Sequence, residues 1–315
     1  MNDDLKQLFA SEVKVGLSAY SKRLSSKWFY NAKGDELFVQ IMNLPEYYLT
    51  KCEEEIFSQQ TEALVDILVK DLGAFDLYEL GAGDGTKTMH LLSALRHHSF
   101  TYRPIDISAN AISNLEKRVA ESIPQVHTEG LQGEYFEVLS QISSERPKVI
   151  LFMGSNIGNM LDDKANAFLL KLSVVMKSGD RLLLGVDLKK DPEIILPAYN
   201  DSKGITSEFN LNLLDRINHD LGANFNREEF RHTPHYDEER GVAYSYITSL
   251  TDQKVKIKAI NSEYHFAEGE KIFTEVSRKY DDQALDVITD LTSLKLVEKL
   301  YDSRRYFCDA IFEKA

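Results

Sequence analysis

Glu79-Leu80-Gly81-Ala82-Gly83-Asp84-Gly85-Thr86 is the stretch from which the fold can be read. Before it runs Phe75-Asp76-Leu77-Tyr78, short, apolar and rich in strand formers. After it, Lys87 to Leu95 places Met89, Leu91, Leu92 and Leu95 on roughly one helical face. The glycines therefore occupy a strand-to-helix turn. Three glycines at alternate positions remove Cβ atoms where the backbone must approach a ligand or take a positive φ. Such a turn at the carboxyl end of a strand is where open α/β sheets bind nucleotides.

The spacing narrows the choice. A dinucleotide fingerprint needs G-x-G-x-x-G, whereas this turn is G-x-G-x-G. A phosphate loop needs glycine directly before its lysine, and here Thr86 precedes Lys87. Glu79 stands two residues before the first glycine, and Asp106 closes the next apolar run, Phe100 to Ile105. An acid at that second position can receive a ribose diol. Acid, glycine turn and second acid together resemble the S-adenosylmethionine site of Rossmann-like methyltransferases. The alternative is a glycine turn that binds nothing.

The flanking chain alternates in the same way. Strands are expected at Phe75–Leu80, Phe100–Ile107, Gln125–Leu131, Lys148–Met153 and Arg181–Leu188. Helices are expected at Lys87–His97, Asn110–Ser122, Phe136–Ile142 and Asp163–Met176. This predicts parallel βαβ units with right-handed crossovers. Two strands near the carboxyl end, one of them antiparallel, would complete a seven-stranded sheet. Upstream, Gly34 reads as a turn, and Thr50 with Glu53 reads as a capping box that opens a helix from Lys51 to Val69. After Lys190 the period changes: a helix over Thr206–Leu221 precedes the alternating runs Val242–Leu250 and Val255–Phe266, then Ile272–Ser277.

Composition sets outer bounds. A chain of 315 residues with 43% hydrophobic content can build one large domain or two ordinary ones. A net charge of −13 argues against a duplex nucleic-acid partner. Cys52 and Cys308 form no metal pattern and read as buried thiols, and the eight histidines show no ligand spacing. No metal is expected. MNDDLKQLF lacks an apolar signal core, and no apolar run reaches the ~20 residues of a membrane span. These features predict a cytoplasmic protein without a membrane partner.

Several segments recur in order: KWFYNAKGDELF (27–38), LPEYYLT (44–50), ELGAGDGTKT (79–88), PIDIS (104–108), FMGSNIGNM (152–160), LLLGVDL (182–188), AYNDSKGITSEFNLNLL (198–214) and TEVSRKY (274–280). Together they resemble the histidine Nα-methyltransferases of ergothioneine biosynthesis. The resemblance implies a Rossmann-like, seven-stranded class I methyltransferase core over 52–189 and 280–315. It implies a second, α+β substrate-binding domain from 1–51 and 190–279. The implied reaction is three methyl transfers from S-adenosylmethionine to the α-amine of L-histidine, by a monomer. Another free amino acid such as tryptophan, or cofactor binding without turnover, are the competing readings.

The resemblance also implies roles. Gly81, Gly83 and Lys87 on the first turn, Asp106, and Glu134 with Tyr135 after the third strand would hold the cofactor, with Glu79 beside them. The family usually has Asp-Phe at the last pair. Tyr47, Asn159, Tyr199, Glu275 and Ser277 would hold the substrate, with Tyr30 near the amine. Glu275 and Ser277 are two apart, so on a strand both would face one side, where a carboxylate and a hydroxyl could bond two ring nitrogens. Read alone, they form an ordinary polar strand face. Tyr30, Tyr47 and Tyr48 read first as half-buried aromatics with their hydroxyls at the surface, and second as a pocket wall. Tyr30, Tyr47 or bulk water would carry the amine proton away. The family's methionine near the imidazole falls at Ser245 or a neighbour such as Tyr244.

Overall fold

The computed structural model describes residues 3–140 and 145–315. The chain divides into two units, Met1–Tyr48 with Lys190–Ser277 and Leu49–Lys189 with Arg278–Ala315.

The strands in chain order are β1 (Phe75–Leu80), β2 (Phe100–Asp106), β3 (His127–Thr128), β4 (Leu131–Gln132), β5 (Lys148–Phe152), β6 (Arg181–Asp187), β7 (Phe230–Asp237), β8 (Val242–Ser249), β9 (Gln253–Ile257), β10 (Ser262–Phe266), β11 (Lys271–Arg278), β12 (Leu294–Tyr301) and β13 (Phe307–Lys314). The helices are α1 (Asp3–Leu17), α2 (Ala32–Met42), α3 (Tyr48–Gln59), α4 (Thr61–Leu68), α5 (Thr88–Leu95), α6 (Ala109–Ser122), α7 (Tyr135–Ser140), α8 (Asp162–Val175), α9 (Pro192–Ala198), α10 (Ile205–Leu221) and α11 (Asp282–Thr289).

In the Leu49–Lys189 and Arg278–Ala315 unit the sheet order is β12-β13-β6-β5-β1-β2-β3, with β4 also on β2. β1 pairs in parallel with both β2 and β5, and β5 with β6. Every residue of β1, β5 and β6 is buried, as a sheet covered on both faces requires. β13 runs antiparallel to β6 and to β12. The strand order reverses at β1, so the crossovers leave to opposite faces and a crevice opens at its carboxyl end. Tyr78, Ile150, Phe152 and Leu184 pack in one core with Leu169 and Leu172 of α8 and Ile288 of α11. Both cysteines are buried and free.

Two expectations are corrected here, and a third reaches past the described residues. The third strand is not one run over Gln125–Leu131. It is split into β3 and β4, each two residues long. The helix expected from Lys51 starts at Tyr48 and is interrupted at Gln60. Glu53 does not cap it. Burying the Glu53 carboxylate against other turns of the sheet outweighs a local cap. Of the helix expected over Phe136–Ile142, the structure shows Tyr135–Ser140; residues 141 and 142 lie outside the described residues.

The other unit packs α1, α2 and α10 with a three-stranded sheet of order β11-β8-β7 and a hairpin of β9 and β10. Phe9, Trp28, Phe29, Phe209, Ile217, Ile247 and Phe266 share its core. Gly34 lies inside α2, whose first turn Asn31 caps by accepting the Gly34 N–H at 2.8 Å. A Cβ at Gly34 would meet the Phe29 carbonyl, so the glycine permits close approach rather than a turn. Val255–Phe266 is not continuous: it folds back at Asn261, whose φ is 45°. β7 carries Pro234, whose missing N–H an edge strand tolerates because one side of it joins no ladder.

Candidate active site

β1 delivers the glycine turn to the crevice. Gly81, Gly83 and Gly85 have φ of 73°, 54° and 65°, a region costly for residues with a Cβ. The Gly81 N–H donates to the Ile105 carbonyl at 2.9 Å, which fixes the turn to the end of β2. A Cβ on Gly81 would stand 2.8 Å from the Tyr135 hydroxyl, while one on Gly83 would meet nothing within 4 Å. The turn is thus packed on one side and open on the other. Asp106 ends β2, and its carboxylate accepts from Gly83 N–H at 3.2 Å and Ser108 N–H at 2.9 Å. Tyr135 begins α7, and burial pushes its phenol up to about 12. Glu134, its neighbour, is exposed.

Glu79 lies near the end of β1, two residues before the first glycine of the turn. Its carboxylate is buried and accepts from Thr88 Oγ1 at 2.7 Å and from the Tyr102 hydroxyl. Desolvation raises its pKa from 4.5 to about 7. The folded chain therefore holds this proton more tightly than the unfolded chain. The associated stability is fully present below pH 4.5 and is lost as pH rises to about 7. Glu79→Gln cannot ionise, so its melting temperature relative to wild type should climb across that window. A difference that stays flat with pH would contradict this.

Lys87 pairs with the Glu53 carboxylate, which also accepts from Gly154 N–H at 2.8 Å. Gly154 opens the turn after β5, which passes through Ser155 at φ 55° into a short 3-10 helix, Asn156–Asn159. Asn159 lies at its exposed end. The Asn156 amide would lie 3.8 Å from a Cβ on Gly81.

The other unit gathers two groups of side chains. Tyr30 meets Phe38 edge-on at 5.6 Å and Phe209 at 5.7 Å, and Phe38 meets Tyr47 at 6.5 Å. Arg216 of α10 donates to the Trp28 and Tyr30 carbonyls at 2.8 and 2.9 Å, which fixes this segment. Tyr199 ends α9, and its hydroxyl donates to Ser277 Oγ at 2.7 Å. Glu275 and Ser277 both lie on β11. Ser245 is buried on β8, and its carbonyl accepts from Thr274 Oγ1 at 2.9 Å. It alternates with Tyr244 and Tyr246, whose rings stack at 6.1 Å, so it points to the opposite face of β8 from both.

A family of histidine-specific, S-adenosylmethionine-dependent methyltransferases matches residues 9–314. The chain belongs to this family. Among its relatives, the histidine N-alpha-methyltransferase of Mycolicibacterium smegmatis is 34% identical over 280 residues, covering 88% of this chain and 86% of that one. The histidine N-alpha-methyltransferase of Mycobacterium tuberculosis is 36% identical over 276 residues, covering 87% and 85%. Ergothioneine biosynthesis protein 1 of Neurospora crassa is 31% identical over 289 residues, which occupy 32% of its length.

The protein is thus an S-adenosylmethionine-dependent methyltransferase, and its turn fits that cofactor. Gly83 leaves open space, Gly81 admits the Tyr135 hydroxyl where a side chain would not, and Asp106 presents a carboxylate at the end of the second strand. Among the described residues no group of His, Cys, Asp and Glu could hold a metal, and no helix is long and apolar enough to cross a membrane.

Sequence reasoning missed Glu53, Thr88, Tyr102 and Asn156. Glu53 meets Lys87 34 residues on and Tyr102 meets Glu79 23 residues back, while Thr88 meets Glu79 across the glycine turn, pairings that no periodicity reports. Asn156 was visible within the polar glycine turn GSNIGN but carried no distinguishing signal.

Proposed function

We propose that this chain trimethylates the α-amine of L-histidine to give hercynine, in the ergothioneine pathway. The observation that carries the reading is that the likeness to histidine N-alpha-methyltransferases runs through both units, including LPEYYLT and TEVSRKY, not only through the glycine turn.

S-adenosylmethionine, when bound, supplies an electrophilic methyl group. Gly81, Gly83, Lys87, Asp106, Glu134 and Tyr135 would hold it, with Asp106 taking the ribose hydroxyls. Glu79, whose oxygens serve Thr88 and Tyr102, would brace the turn instead of touching the cofactor. Glu275 and Ser277 would hold the imidazole, and Tyr199, already bonded to Ser277, would hold the amino-acid end. Tyr47 and Asn159 are assigned to the amino acid on the strength of the resemblance. Ser245 is assigned beside the imidazole on the strength of the resemblance, and its carbonyl accepts from Thr274 Oγ1 of β11.

The work of these residues is positioning. Orienting two bound reactants lowers a barrier by about 7 to 11 kcal/mol at best. The amine must shed a proton before each transfer. Tyr30 is 42% exposed, so its hydroxyl can relay that proton to water. After the third transfer the nitrogen has no lone pair, and the reaction stops. We take the enzyme to be a cytoplasmic monomer acting on a small molecule.

The test is the mass of the product. Purified protein with S-adenosylmethionine and a panel of free amino acids should add three methyl groups to L-histidine. Turnover of tryptophan in place of histidine would move the substrate assignment. Cofactor binding with no methylated product would remove the catalytic one.

A further inference from the structure

Glu53 reaches the sheet edge from α3, a helix outside the strand–helix repeat. Its side chain is 1% exposed. Its two oxygens lie 2.8 and 3.0 Å from the Gly154 nitrogen, which donates, and one of them also meets the Lys87 ammonium. Room for this carboxylate is provided by Gly185 of β6, where a Cβ would collide with Glu53 Oε1. Asp309 of β13, paired in register with Gly185, is fully buried, and neither of its oxygens has a hydrogen-bond partner among the described residues. Burial, and then the neighbouring Glu53 charge, push the Asp309 carboxyl well above its ordinary range. Glu53 is the carboxylate that the Lys87 ammonium meets.

We propose that Glu53 is a positioning residue for the methyl-donor site: one carboxylate ties the first glycine turn, through Lys87, to the Gly154 turn after β5, and so holds both backbones ready for the cofactor. This rests on the reading of those turns as the cofactor site. Two turns linked in advance need not be ordered when the ligand arrives, which is where preorganisation gains affinity. Glu53→Gln keeps an acceptor for Gly154 but removes the charge that Lys87 requires.

The experiment is calorimetry of S-adenosylhomocysteine binding to wild type, Glu53→Gln and Asp309→Asn, with melting temperatures measured alongside. Glu53→Gln should weaken binding roughly tenfold or more, the scale of a lost charge-assisted bond. Asp309→Asn keeps the size of a side chain whose oxygens bond neither turn, so it should bind within about twofold of wild type. On cofactor-saturated enzyme, the KM for histidine of Glu53→Gln should likewise stay within about twofold. A lower melting temperature with unchanged affinity in Glu53→Gln would mean a purely structural role and would overturn the proposal. Equal losses in Glu53→Gln and Asp309→Asn would also overturn it. If Glu53→Gln does not fold, Glu53→Asp withdraws the carboxylate by one methylene, and wild-type affinity in that variant would refute the tie. Wild type that fails to bind S-adenosylhomocysteine would sink the cofactor reading itself, and the proposal with it.

Discussion

Replacing Glu275 with alanine is expected to lower kcat/KM for L-histidine by about a hundredfold, the loss of ~3 kcal/mol that a charge-assisted hydrogen bond can carry. The expectation follows from the place of Glu275 on β11, two residues before the Ser277 hydroxyl that accepts from Tyr199. A carboxylate there can accept from a ring N–H and gains further if the imidazole is protonated. Glu275→Gln keeps one acceptor and should lose roughly tenfold. The affinity for S-adenosylhomocysteine should not change in either variant. Two measurements check this: steady-state kinetics with histidine and calorimetry with the cofactor product. Full histidine activity in Glu275→Ala would remove the residue from the substrate site.

The second large effect is expected at Asp106. Asp106→Ala should weaken S-adenosylhomocysteine binding by about a hundredfold or more. It removes the proposed receiver of two ribose hydroxyls, each charge-assisted bond being worth ~1.5–3 kcal/mol. It also removes the acceptor for the Gly83 and Ser108 N–H groups, so the turn keeps its backbone bond from Gly81 to Ile105 but loses its side-chain tie to β2. Asp106→Asn separates the two causes. It can still accept from one of those N–H groups, but without a charge for the ribose. Its loss should be smaller than that of alanine and should appear in cofactor affinity rather than in melting temperature. Unchanged affinity in both variants would place the ribose elsewhere.

The sequence by itself determined the sheet's centre. Phe75–Leu80, the three glycines and Asp106 are legible because strand period, backbone freedom and helical spacing are local properties. The ordered segments from KWFYNAKGDELF to TEVSRKY likewise carry the family. Boundaries failed where burial overrode a local rule. Thr50 and Glu53 have the spacing of a cap, yet Glu53 accepts from Gly154, 101 residues away. Val255–Phe266 reads as one alternating run, yet it reverses at Asn261, where the period breaks over Ala259-Ile260 and Asn261-Ser262-Glu263 around the join of two short strands. Only the tertiary structure decided which polar groups meet: Glu53 with Lys87, Tyr199 with Ser277 and Glu79 with Tyr102. Buried polar atoms must find partners wherever the fold places them, and those partners are chosen by distance in space, not by position in the chain.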